Sequence, residues 1–244
     1  MRYFGLIGEK LSHSFSKRYF TEKFERENIE AQYELYELAA IDELPALWGR
    51  VPLTGLNVTI PYKQAVIPYM DELSAEARAV GAVNTILFEE GKRIGYNSDV
   101  YGFRESLLRF LGEAKVDRAL ILGSGGAARA VQFVLREQLQ FQQCVMVSRS
   151  PQNAEQLSYG QLEDLNWQEW PLVVNTTPLG MHPLTDRFPD IPYHKLRPHH
   201  FAFDLIYNPA ETIFMQKAAA HGARTLNGME MLILQAEGSW RFWN

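Results

Sequence analysis

Arg118-Ala119-Leu120-Ile121-Leu122-Gly123-Ser124-Gly125-Gly126-Ala127-Ala128-Arg129-Ala130 reads as a buried strand, a glycine turn and a helix that continues to about Glu137. Gly123 and Gly125 allow close backbone approach, and Gly126 and Ala127 keep the following helix small-surfaced. The first-turn amides of that helix suit a pyrophosphate. Ala128 stands where the usual fingerprint has its third glycine, an accepted variant. Placed between a strand and a helix, the pattern predicts a Rossmann-type dinucleotide-binding domain.

Residues 144–147 are the next strand, ending in Ser148-Arg149-Ser150, where an NAD-binding domain usually presents an acid to the adenosine ribose. Arg149 can instead pair with a 2′-phosphate and stack on adenine, so NADP is the preferred cofactor; a merely solvated arginine is the alternative. Leu172–Asn175, Phe201–Asp204 and residues 223–226 continue the strands, and residues 176–181, from Thr176 to Met181, form a loop in position to border the nicotinamide. Residues 212–221 and 228–242 read as helices, the latter carrying Gln235.

Toward the N-terminus the β/α alternation persists. Arg2–Gly8 is a short strand, followed by a polar turn and an amphipathic helix over residues 19–26. Ser14 and Ser16 suit helix capping, and two serines at the positive end of a helix also suit a carboxylate; both roles can coexist. After a strand at residues 33–38 and a helix at 41–48, residues 53–59 form a strand that ends in Asn57-Val58-Thr59-Ile60-Pro61-Tyr62-Lys63. Val58 and Ile60 are expected on one face and Thr59 on the other, with Pro61 breaking the ladder before a helix. Asn57, Thr59 and Lys63 then crowd one strand end, where open α/β sheets place small ligands, and an amide, a hydroxyl and an amine suit a polyhydroxylated substrate. Short helices at 64–70 and 74–79 precede a hairpin at 81–96, in which Asn84 is a polar residue in an apolar strand that either satisfies a neighbouring loop or faces ligand. Asp99 opens the helical spacing of residues 100–111, the place of an N-cap. Gly112 and the charged run after it suggest a connection between domains.

Composition narrows the partners. With 46% apolar and 22% charged residues among 244, the chain is an ordinary globular one, and a net charge of −5 argues against nucleic acid as the main partner. No apolar run approaches a membrane span, and Met1-Arg2-Tyr3-Phe4-Gly5 enters a strand without a cleavage pattern, so a cytoplasmic location is expected. The single cysteine, Cys144, is expected as a buried strand thiol. Six histidines show no metal-ligand spacing, and His199-His200 in a proline-rich loop is expected to be solvated; no metal is expected.

The ordered motifs SHSFS (12–16), GLNVTIPYK (55–63), GAVNTI (81–86), GYNSD (95–99), GSGGAARA (123–130), VSRS (147–150), NTTPLGM (175–181), DLIYNP (204–209) and NGMEMLILQA (227–236) resemble the shikimate dehydrogenase family from end to end. The resemblance implies an α/β N-terminal substrate domain over residues 1–112, an NADP domain over 113–227 with a cleft between them, and a last helix, 228–244, packing back on the first domain. It implies NADP-dependent, reversible reduction of 3-dehydroshikimate to shikimate in aromatic amino acid biosynthesis, by a monomer or homodimer. Lys63 and Asp99 would be the catalytic pair. Ser14 and Ser16, with Tyr207, would hold the carboxylate; Thr59, Asn84 and Gln235 would contact ring hydroxyls, with Asn57 as a second contact. Gly123, Ser124, Gly125, Gly126, Ala127 and Arg149 would hold the cofactor, with Thr176, Met181 and Gly228 bordering it. The sequence departs from the family pattern at Lys17 and Phe20, where proline and histidine are usual, and at Asn153, where a second basic residue often follows the arginine. A relative acting on quinate or an amino-substituted ring is the alternative enzyme, and a silent NADP-binding sensor the alternative class. The lysine motif of the related folate dehydrogenases is not seen.

Overall fold

The computed structural model describes residues 1–11, 14–153 and 155–244, so two positions of the polar turn, Ser12 and His13, lie outside the described residues. The chain forms two compact units, residues 1–98 with 235–244 and residues 99–234.

The first unit contains β1 (Arg2–Gly8), α1 (Phe15–Arg26), β2 (Ala31–Glu37), α2 (Leu44–Trp48), β3 (Leu53–Val58), α3 (Tyr62–Ala65), β4 (Glu72–Leu73), α4 (Ala75–Val80), β5 (Thr85–Glu89) and β6 (Lys92–Tyr96). Its sheet runs β2-β1-β3-β5-β6-β4; β1 pairs in parallel with β2 and β3, and β5 is antiparallel to both β3 and β6. One face carries Ile7, Leu56, Val58 and Ile86 against Leu44, Leu47 and Tyr62. The other carries Phe4 and Leu6 against Phe20 and Phe24 of α1 and Ala236 and Trp243 near the C-terminus. Trp243 lies flat across Gly55, where a Cβ would fall 2.2 Å from its Nε1, and donates that N–H to the Ile86 carbonyl at 2.9 Å. The two-residue alternation predicted through Ile60 stops at Val58. Thr59 N–H still pairs with Ile7 O, but Tyr62 N–H then closes a turn on Thr59 O, which leaves Ile60 75% exposed instead of beside Val58.

The second unit holds most of α5 (Ser98–Leu111), then β7 (Arg118–Leu122), α6 (Gly126–Phe133), β8 (Gln143–Ser148), β9 (Gln156–Ser158), β10 (Leu172–Asn175), β11 (Phe201–Asp204), α7 (Ile213–Ala220), β12 (Arg224–Leu226) and the first part of α8 (Met229–Phe242). All of its strand pairs are parallel, in the order β12-β11-β10-β7-β8-β9. Counted from β7 this is 3-2-1-4-5-6 read from the β9 edge, the doubly wound dinucleotide-binding order with its switch point between β7 and β10. Within this unit Phe103 of α5 packs on Phe203 with ring centroids 5.4 Å apart, and Phe110 meets Phe201 edge-on at 5.4 Å. His200, expected in solvent, is fully buried. Its Nδ1 accepts the Arg197 N–H at 2.9 Å, so Nε2 carries the proton and donates to the Trp167 carbonyl at 3.0 Å; burial holds its pKa below the usual histidine value. Cys144 is buried in β8, and burial lifts its thiol to about 11, which keeps it from acting as a nucleophile. No helix among the described residues is long and apolar enough to cross a membrane.

Candidate functional site

In the first unit the sequence-predicted residues gather at the C-terminal ends of β1 and β3 and at the start of β5. Ser14 is the N-cap of α1, its Oγ accepting the Lys17 N–H at 3.3 Å. Ser16, in the first turn of the same helix, hydrogen-bonds the Tyr33 phenol, and Tyr33 donates to Asn57 Oδ1 at 2.8 Å. Complete burial raises the Tyr33 pKa far above the usual range, so this hydroxyl is a permanent donor. Asn57 Nδ2 lies 2.8 Å from Ser239 Oγ and 3.3 Å from both the Asn84 carbonyl and Thr85 Oγ1. A carbonyl cannot donate, so the amide orientation is forced.

Asn84 is oriented in the same way. Its Oδ1 accepts the Ser98 N–H at 2.7 Å, with the Ser98 and Thr85 hydroxyls each at 3.2 Å. The first reading of Asn84 from sequence, satisfaction of a neighbouring segment, thus holds for its oxygen, and Nδ2 becomes the donor end. Thr59 and Lys63 are half-buried on the turn after β3 and in α3, and Lys63 O accepts the Val83 N–H at 2.7 Å, tying α3 to the segment before Asn84. Gln235 is half-buried one helical turn before Ser239, whose hydroxyl reaches the Gln235 carbonyl at 3.1 Å.

In the second unit the glycine turn stands at the switch point. Gly123 has φ +114°, and a Cβ there would fall 2.6 Å from Thr176 Oγ1. Thr176 itself donates both its N–H, at 3.0 Å, and its hydroxyl, at 2.7 Å, to the Leu122 carbonyl, which clamps the ends of β7 and β10 together. Gly125 is the residue before α6 and has open space where a Cβ would stand; Ser124 to Ala127 are exposed. An exposed first turn of amides with room above its glycines fits a pyrophosphate. Ser148, at the end of β8, binds Ser124 Oγ at 3.3 Å and the Ser150 N–H at 3.2 Å, which shapes the short segment that presents Arg149 to solvent.

Asp204 organises the neighbouring strand ends. It is fully buried and accepts Asn175 Nδ2 at 3.0 Å, the Ile206 N–H at 3.0 Å and the Thr212 hydroxyl at 2.6 Å. Burial raises its pKa to about 6 despite those donors. Asn175 Oδ1 in turn accepts the N–H and hydroxyl of Thr177, so one carboxyl fixes both the loop from Thr176 to the exposed Met181 and the loop that carries half-buried Tyr207. Gly228 N–H bonds Ile206 O at 2.9 Å, and a Cβ there would fall 2.1 Å from the Leu205 carbonyl, so only glycine lets these backbones meet. Asp99 is half-buried in the first turn of α5, inside the helix and not before it, so it is not the N-cap that its spacing suggested.

Tyr33, Thr85, Ser98, Ser239 and Asp204 were not singled out from the sequence. The available signals were an acid closing the apolar run Phe201–Asp204 and a serine four residues after Gln235, on the same helical face.

Residues 6–86 match the family model described as the shikimate dehydrogenase substrate binding domain. A Clostridium perfringens protein named shikimate dehydrogenase (NADP(+)) is 38% identical over 259 residues, spanning 100% of this chain and 93% of that protein. The crystal structure of shikimate 5-dehydrogenase from Thermus thermophilus in complex with NADP(H) and shikimate superposes with a TM-score of 0.87 at 31% identity, covering 100% of this chain and 94% of that one. A quinate dehydrogenase from Corynebacterium glutamicum in complex with NAD gives 0.89 at 28% identity, covering 100% and 93%. With a glycine turn at the switch point of a doubly wound sheet and full-length identity of this order, the chain belongs to the shikimate dehydrogenase family.

Proposed function

We propose that this protein catalyses the reversible, NADP-dependent reduction of 3-dehydroshikimate to shikimate. The observation that carries this is full-length membership of the family in a chain that retains both the glycine turn of the second unit and the Thr59, Lys63 and Asn84 constellation of the first. NADPH, when bound, supplies the hydride for the C3 carbonyl. Gly123 to Ala127 hold its pyrophosphate and Arg149 its 2′-phosphate, with Thr176, Met181 and Gly228 shaping the nicotinamide border.

Ser14 and Ser16 bind the substrate carboxylate at the positive end of α1, together with Tyr207. Thr59, the Nδ2 end of Asn84 and Gln235 bind ring hydroxyls, and Asn57 supports them from within the protein. Lys63, with Asp99 as its acid–base partner, gives a proton to the carbonyl oxygen as that oxygen gains negative charge. The protein works in the cytoplasm, as a monomer or homodimer. Quinate with NAD is the second reading, favoured by the similarity to the quinate dehydrogenase and opposed by the lack of an acid in Ser148-Arg149-Ser150.

The test is Lys63→Ala assayed with shikimate and NADP. The variant should lose about 10²- to 10⁴-fold in turnover with a modest change in shikimate KM. A variant that keeps its turnover, or that loses binding alone, removes Lys63 from proton transfer.

A further inference from the structure

Ser239 is 1% exposed, and its hydroxyl meets four groups: Asn57 Nδ2 at 2.8 Å, Thr85 Oγ1 at 2.7 Å, Ser98 Oγ at 3.1 Å and the Gln235 carbonyl at 3.1 Å. A serine has one proton and two lone pairs. The carbonyl of Gln235 takes the proton, and Asn57 and a neighbouring hydroxyl fill the lone pairs. From Asn57 the chain of donors runs back through Tyr33 to Ser16, and through Thr85 and Ser98 to Asn84 Oδ1. Ser16, Asn84 and Gln235 come from three elements that share no backbone ladder: the start of α1, the segment before β5, and α8. The network joins Ser16 and Asn84 to the backbone of α8, one turn after Gln235, with Ser239 as its hub.

We infer that Ser239 is a positioning residue for substrate binding: it sets the rotation of α8 and so the placement of Gln235, and through Asn57 and Thr85 it holds the groups that orient Asn84 and Ser16. The inference rests on the proposed role of Gln235 and deepens it. Buried polar networks of this kind lock one geometry because any rotation leaves a polar group unpaired in a low-dielectric interior. Trp243 keeps α8 docked independently, through the Ile86 carbonyl and its packing on Phe4 and Phe20, so losing one hydroxyl releases rotation without releasing the helix.

The experiment compares Ser239→Ala, Ser239→Thr, Gln235→Ala and the double variant Ser239→Ala/Gln235→Ala, with KM for shikimate, KM for NADP, kcat and Tm read for each. Ser239→Ala should raise the shikimate KM about 5- to 20-fold while the NADP KM stays within about twofold, and Ser239→Thr, which restores a hydroxyl, should recover most of the loss. The double variant should lose less than the product of the two single losses, since part of the Ser239 effect passes through Gln235 and the rest through Asn57 and Thr85. Additive effects, a parallel rise in both KM values with a fall in Tm, or a wild-type shikimate KM in Ser239→Ala would each overturn the inference. An unchanged shikimate KM in Gln235→Ala would instead remove Gln235 from the substrate, and the positioning role with it. Tyr33→Phe probes the far end of the same network: it should raise the shikimate KM in the same direction by about 2- to 5-fold, and no change there also contradicts it.

Discussion

At the scale of single residues, the site depends on buried polar groups whose hydrogen bonds leave them one orientation. Asp204 is the case with a thermodynamic signature. Its carboxyl titrates near 6 in the fold against 3.8 in an unconstrained chain, so between those values the folded state binds more protons than the unfolded one. Stability contributed by the protonated form is therefore complete below about pH 4, lost as pH rises to about 6 and constant above, a total on the order of 3 kcal/mol. Asp204→Asn keeps an oxygen for Asn175 and Ile206 and offers an amide to Thr212, so it should fold. Thermal melts between pH 4 and 7 should show the wild type losing stability relative to this variant across that window, and parallel curves would mean that Asp204 titrates normally. Residue-level expectations from sequence failed where a turn or a backbone partner decided burial. Ile60 is apolar but lies on the turn closed by Tyr62 N–H, and His200 is polar but finds Arg197 N–H and the Trp167 carbonyl inside the protein.

At the scale of elements, the turn between β7 and α6 separates two jobs that adjacent glycines perform. Gly123 has a left-handed φ and its missing Cβ faces Thr176 Oγ1, so Gly123→Ala should cost about 1–3 kcal/mol in stability and also weaken NADP binding. Gly125 has an ordinary φ of −81° and open space at its Cβ, so Gly125→Ala should leave Tm nearly unchanged while the new methyl raises the NADP KM about tenfold or more. Melting curves and cofactor titrations of the two variants check this, and equal losses of stability would contradict it. The turn was legible because glycine has few other reasons to recur between an apolar strand and a small-surfaced helix. The long strands and helices were legible from periodicity. The two-residue β4 and the three-residue β9 were not, because such short edge strands exist through pairing with β6 and β8, which no local pattern encodes. The Ser239 network was hidden for the same reason: its members lie up to 223 positions apart in sequence, from Ser16 to Ser239, and only packing brings them together.

At the scale of the molecule, the chain builds two sheets of different logic. The second sheet is all parallel, with a glycine turn at its switch point, and the first is mixed and covered in part by Trp243. Phe103 and Phe110 of α5 pack on Phe203 and Phe201 within the second unit, a long-range pairing that loop composition does not encode. The pairing of ring and cofactor is what the whole chain is built to achieve, and it is measured most directly by initial rates of cofactor reduction with shikimate and with quinate, each with NADP and with NAD. Shikimate with NADP should exceed every other combination by at least about tenfold in kcat/KM, which corresponds to about 1.4 kcal/mol or more of preference. A preference for quinate or for NAD would contradict the roles given to the first-unit pocket or to Arg149, and no turnover with any combination would contradict the proposed activity itself.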